Sequence, residues 1–453
     1  MKLIVYILLL FIPYCLLVQD TESMAVVLSI ILILNIISNY RTKNKISYID
    51  VWNIGFLYTV CGEMILSSQY LNIHQDGLTV VRYILIANVL VNIGFYTNIK
   101  PMAPNKPIVM SGISSREAAR FGKRILNALL LLSTIYFIEF IGPALNSFER
   151  GRAALLSSAE GGSADIFRNV IKGISSIAPI MGAYYLRYYL KYKYKLRFIV
   201  VLLLCVIPQI LWGTRYVLLF SLIAPIIVFF DRKKLSSKII MGGIVTLMLL
   251  VVSINYIKLN RDNRTTVNRT GQNGFVKQVA SLGSNEGIVD GTLDIFNYTH
   301  SHGYFYGEQS AFVLYFWVPR SIWFEKPTQL SYWLVRKNHV VSDVFSAAYG
   351  FWGELFMDFG YFSLLIIFFI GTLLKKLEIL KDFYLKNRSP KAVFYIVGFP
   401  VLFLSIRSPQ TAIINLLLIG LIYFLLNFLF TRFGLLRKRR RYSPIVIFNQ
   451  NYP

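Results

Sequence analysis

The segment QTAIINLLLIGLIYFLLNFLFT (410–431) runs for 22 residues without a charge and is bracketed by Arg407 and Arg432. A helix needs about 20 apolar residues to cross the hydrocarbon core of a bilayer. Backbone groups in lipid must be bonded internally, so a run of this kind is a helix and not an open strand. Working outward, twelve such spans are expected, at 3–19, 24–40, 48–68, 78–97, 125–145, 170–187, 198–213, 215–230, 239–257, 359–374, 392–406 and 410–431. The first begins after Lys2, and no small-residue cleavage site follows it, so it reads as a span and not as a removable signal. The whole chain agrees. Its 453 residues are 55% hydrophobic and 15% aromatic, more apolar and less charged than a soluble protein of this length. The fold class is an all-α polytopic membrane protein.

The net charge of +25 can suggest a nucleic-acid partner. That partner is excluded, because the basic residues form short clusters between apolar runs, which is the pattern that orients membrane helices. With the N-terminus placed inside, 31 of the 47 Lys and Arg residues fall on inner segments. The short outer segments are nearly free of them. Both termini are therefore expected to be cytoplasmic, with 1–257 carrying the first nine spans, 258–358 forming one large outer loop, 359–431 carrying the last three spans and 432–453 forming a basic cytoplasmic tail. Cys15, Cys61 and Cys205 all lie in expected spans and offer neither a disulfide framework nor metal-ligand spacing.

The loop holds nine basic and nine acidic residues, but they are segregated. Lys258 to Lys277 is basic, Glu286 to Glu308 acidic, and Ser310 to Phe324 apolar around Arg320. That last stretch is expected to lie in the membrane interface as an amphipathic helix. No internal repeat of the kind many transporters use is visible.

Outer-face cations have no topological role, so each invites a chemical one. Arg215 lies in the tight turn Trp212-Gly213-Thr214-Arg215, Arg320 follows Pro319, Lys326 precedes Pro327, and Arg407 precedes Ser408-Pro409. An arginine fork matches a phosphate or pyrophosphate. The rival reading is snorkelling to headgroups, or pairing with Glu325 or Glu354. Histidine is the side chain best suited to act as a general base near neutral pH, and His339 stands before a segment expected to re-enter the membrane. Asp343, Glu354 and Asp358 flank the same segment; Glu354 can take a proton or pair with an arginine, and residues 354 and 358 can equally share a solvated helix face. His300-Ser301-His302 would put two imidazoles on one face of a strand, without an evident third metal ligand. No metal site and no cofactor are expected, and no phosphate-binding glycine loop or zinc motif is present.

Val318-Pro319-Arg320 with Lys326-Pro327, then Phe345-Ser-Ala-Ala-Tyr-Gly-Phe-Trp-Gly-Glu354, then Asp358-Phe359-Gly360 leading into a span with Gly371, resembles the Wzy-type oligosaccharide repeat-unit (O-antigen) polymerases. The resemblance implies a bacterial inner-membrane glycosyltransferase with a helical-membrane (GT-C-like) fold. Its substrates would be undecaprenyl-pyrophosphate-linked glycans in a setting of membrane lipids, with a chain-length regulator protein as a partner. Arg215, Arg320, Lys326 and Arg407 would bind the pyrophosphate, and His339 or Glu354 would be the catalytic base. The related O-antigen ligases carry a loop histidine followed by Gly-x-x-Gly; His339, Gly350 and Gly353 fall at that spacing, while Val340 departs from it. A ligase acting on lipid A core, and a flippase for a lipid-linked sugar, are the alternative functions.

Overall fold

The computed structural model describes residues 2–43, 45–97, 115–150, 164–190, 194–211, 215–230, 287–318, 322–330, 333–334, 349–387 and 389–430. Among them there is no strand. In chain order the helices are α1 (Lys2–Leu17), α2 (Thr21–Lys43), α3 (Tyr48–Leu66), α4 (Ser68–Ile73), α5 (Gly77–Tyr96), α6 (Ser115–Arg150), α7 (Ala164–Tyr188), α8 (Lys195–Leu211), α9 (Arg215–Phe230), α10 (Ile288–His302), α11 (Glu308–Tyr315), α12 (Gly350–Phe359), α13 (Ser363–Lys386), α14 (Ala392–Arg407) and α15 (Pro409–Phe430). Six helical stretches are long and apolar enough to cross a membrane: Thr21–Thr42, Tyr48–Leu66, Gly77–Tyr96, Ala119–Leu145, Gly350–Lys386 and Pro409–Leu426. Two shorter apolar helices are Ile4–Leu17 and Ala392–Arg407. The expected span at 239–257 lies outside the described residues; helices occupy the other expected stretches.

Local chemistry explains several helix ends. Asp20 starts α2 by accepting the Ser23 N–H at 2.9 Å and the Ser23 hydroxyl at 2.5 Å. Those two bonds hold the Asp20 pKa below the usual carboxylate range. Ser47 and Asp50 form a reciprocal capping box at the start of α3. Inside α3, residues Leu57–Cys61 form a single π turn, one residue wider than the α-helical turns around it.

Helices approach closely where side chains are missing. A Cβ built on Gly94 of α5 would stand 2.2 Å from the Phe368 carbonyl oxygen of α13, and one on Gly371 of α13 would stand 2.2 Å from the Val91 oxygen of α5. Small residues facing each other are the usual means of bringing membrane helices together. Polar side chains add to this. Asn35 and Asn39 of α2, Asp50 and Asn53 of α3, and Asn92 and Tyr96 of α5 form one buried network, closed by the reciprocal Asn53–Asn92 amide pair at 2.9 and 3.0 Å. At the end of α13, the buried Lys381 ammonium lies 2.8 and 2.9 Å from the two Glu378 oxygens. Glu378 also accepts the Tyr48 N–H at 3.1 Å, and Lys45 reaches Glu378 and Asp382.

The described helices of the long loop are not an appendage. Ile288, Leu293 and Phe296 of α10 and Trp352, Phe356 and Met357 of α12 belong to the same core as Trp52, Phe56 and Tyr83. The rings of Phe296 and Phe356 stack at 3.7 Å. His300 and His302 lie in the last turn of α10, not on a strand. Two residues apart on a helix they diverge by about 200°. His300 meets Asp76 at 3.5 Å and His302 stacks on Tyr298 at 4.2 Å. No group of three potential metal ligands occurs among the described residues.

Candidate functional site

The site is assembled around α12. Gly350 opens this helix at φ +69, where a Cβ would meet Ile288 Cγ2 at 2.6 Å. Only glycine therefore lets α12 begin so close to α10. Thr292 of α10 donates its hydroxyl to the Tyr349 carbonyl at 3.1 Å, and Gly353 faces Ile295 and Thr292. The aromatic face of α12 thus packs into the core, and Glu354 and Asp358, one turn apart, share its other side.

Both carboxylates are buried, at 4% and 0% exposure, so the solvated-face reading of this pair is wrong. Each meets the start of a different helix. Asp358 accepts the Gln309 N–H at 3.1 Å and the Ser310 N–H at 2.7 Å, together with the Ser310 hydroxyl, at the N-terminus of α11. Glu354 accepts the Ser408 hydroxyl at 3.3 Å and the Gln410 N–H at 3.4 Å at the N-terminus of α15. A carboxylate is favoured there by the unpaired N–H groups and the helix dipole. The circuit closes because the Gln410 side chain donates to the Gln309 carbonyl at 2.7 Å. Gln329, just beyond Lys326-Pro327, donates to Thr411 Oγ1 at 2.9 Å and to Ser408 Oγ at 3.4 Å. Loop, α12 and the Arg407-Ser408-Pro409-Gln410 turn therefore converge on one place.

Lys326 is held within its own loop. Its ammonium donates to the carbonyls of Phe316 at 2.5 Å and Val318 at 2.9 Å, beyond the end of α11, and lies 5.6 Å from the Phe312 ring. Arg407 is half-buried at the end of α14, next to Ser408. The Arg215 side chain, Arg320, His339 and Asp343 lie outside the described residues. The expected interfacial stretch is only partly helical. α11 ends at Tyr315, and Leu314, Trp317, Ile322 and Phe324 beyond and around its end are 70–87% exposed.

One residue of the arrangement was not anticipated. Glu63 of α3 is fully buried and accepts three N–H groups at the start of α10, from Ile288 at 2.9 Å, Val289 at 2.9 Å and Asp290 at 3.2 Å. Burial holds the neighbouring Asp290 carboxyl above its usual range. The signal was a carboxylate at membrane depth inside an expected span, which is costly and rarely idle.

Buried carboxylates and the Arg407 turn thus stand where the loop meets the membrane helices. The family model O-antigen polysaccharide polymerase Wzy matches residues 1–438. The chain belongs to that family. No curated protein and no solved structure matches it significantly. Membership of the Wzy family gives a multi-pass membrane protein with O-antigen repeat-unit polymerase activity, a glycosyltransferase-type reaction on lipid-linked glycans.

Proposed function

We propose that the donor is a growing glycan on undecaprenyl pyrophosphate, the acceptor is a single lipid-linked repeat unit, and the reaction runs at the periplasmic face of the inner membrane. Twelve spans in a helical-membrane glycosyltransferase architecture, with both termini cytoplasmic, put residues 258–358 on that face. The acceptor hydroxyl oxygen bonds to the donor's anomeric carbon while the bond from that carbon to the pyrophosphate oxygen breaks. The electron pair leaves with the pyrophosphate, whose growing charge Arg215, Arg320, Lys326 and Arg407 stabilise. The hydroxyl proton goes to His339 or Glu354. Each Glu354 oxygen accepts one hydrogen bond, from the Ser408 hydroxyl or the Gln410 N–H, and keeps a lone pair for a proton. A chain-length regulator protein sets how many cycles occur.

The observation that carries this reading is the contact of Gln329 and Glu354 with the Ser408 hydroxyl, which brings the Lys326 loop, the Glu354 helix and the Arg407 turn together. The test is the surface-glycan ladder of a strain whose own polymerase gene is replaced by a variant. Arg320→Ala, Arg215→Ala and His339→Ala should each insert normally and yield single repeat units. Full ladders from the arginine variants would remove the pyrophosphate role, and a residual ladder from His339→Ala would move the proton to Glu354.

A further inference from the structure

Between α10 and α11 the chain turns through Gly303, Tyr304, Phe305, Tyr306 and Gly307. Tyr306 has φ +51, and it is the single non-glycine residue with positive φ among the described residues. Its side chain is 86% exposed. A bulky L side chain in the left-handed region is unfavourable, and here no burial offsets it. A glycine at this position would serve the turn equally well, as Gly303 and Gly307 do at its two ends. Such a conformation points towards a role for the side chain itself.

The turn is firmly held. The Phe305 N–H donates to the Met357 carbonyl of α12 at 3.0 Å, and Glu308 N–H donates to the Phe305 carbonyl at 3.1 Å. The Phe305 ring packs edge-on to Trp333 at 5.5 Å. Asp358, one turn from Glu354 on α12, caps α11 directly after the turn. Tyr304, 37% exposed, rests its ring over Gly360, and exposed Ser301, His302 and Glu308 stand on either side of the turn. Tyrosine presents a flat apolar face with a polar edge and loses little entropy on binding. Flanked by hydroxyl, imidazole and carboxylate groups, that surface suits the C–H face and hydroxyl rim of a pyranose.

We infer that Tyr306, with Tyr304 beside it, is a docking platform for a sugar of the incoming repeat unit, placed by α12 at the edge of the Glu354 site. Its ligand identity rests on the polymerase reading. Two measurements on purified protein separate the two claims. The first is saturation-transfer NMR with the host strain's repeat-unit oligosaccharide released from its carrier. Transfer to pyranose C–H protons is expected with wild type and with Tyr306→Phe, and should vanish with Tyr306→Gly. The second is elongation of extracted lipid-linked repeat units. Tyr306→Gly should raise the acceptor KM at least tenfold with kcat within twofold, and its Tm should be equal to or above wild type because the strained side chain is gone. Tyr306→Phe and Tyr306→Trp should match wild type. Undiminished saturation transfer or an unchanged KM in Tyr306→Gly overturns the platform, and a loss confined to liposome reconstitution would make Tyr306 an interfacial anchor instead. A wild type that binds the oligosaccharide yet elongates nothing would sink the polymerase reading and leave the platform standing.

Discussion

The Glu63 carboxylate, buried in α3, accepts the Ile288 N–H at 2.9 Å across 225 positions of sequence. Val289 and Asp290 donate to the same group. One side chain of a membrane helix thereby fixes where the first described helix of the long loop begins.

Glu63→Ala should lower stability by about 3 kcal/mol, because buried N–H groups lose their acceptor. Thermal unfolding in detergent reads this directly, and Glu63→Gln, which keeps one acceptor oxygen, should fall between. An alanine variant that melts with wild type would show that the cap contributes nothing.

Glu354 separates two roles by chemistry. As an acceptor for Ser408 and Gln410 it tolerates an amide oxygen, so Glu354→Gln should keep the Tm and most of the glycan ladder. Glu354→Ala should lose about 1–2 kcal/mol and the ladder together. A stable Gln variant that makes only single repeat units would assign the proton transfer to Glu354.

The α5–α13 crossing predicts a steric effect. Gly371→Ala sets a methyl 2.2 Å from the Val91 oxygen, a backbone atom that cannot swing aside. The helices must part, at about 1–3 kcal/mol. Gly142, whose added Cβ would meet nothing within 4 Å, is the control and should accept alanine without loss.

The buried pair of Glu378 and Lys381 should show strong coupling. Lys381→Met strands a buried carboxylate and should cost about 3–5 kcal/mol, less whatever Lys45 compensates. Glu378→Met with Lys381→Met should recover much of that. Additive losses in the double-mutant cycle would mean the two side chains act independently.

The helices were legible because lipid leaves a chain few choices, and a run such as 410–431 names its own structure. Attachment of the loop was not. Residues 354 and 358 have the spacing of a shared helix face, and nothing local says that one caps a helix starting at 308 and the other a helix starting at 409. Capping signals normally lie within a few residues of the helix they serve, whereas these donors are 48 to 56 residues away. His300 and His302 mislead for the opposite reason: alternation over three residues looks like strand, and only the apolar period of the preceding Ile288–Phe296 stretch reveals a helix. Lys326 reads in sequence as a ligand for pyrophosphate, and the carbonyls it meets belong to a loop conformation that no spacing announces.

The π turn at Leu57–Cys61 lies just upstream of Glu63. Each added residue rotates the downstream part of a helix by about 100° around its axis. The clasp that seats the long loop thus depends on angular phase within a helix packed in the core. Adding one residue to the regular α-helical stretch Tyr48–Phe56 would leave α3 apolar and spanning, yet swing the Glu63 carboxylate away from Ile288 and unfasten a segment more than two hundred residues downstream.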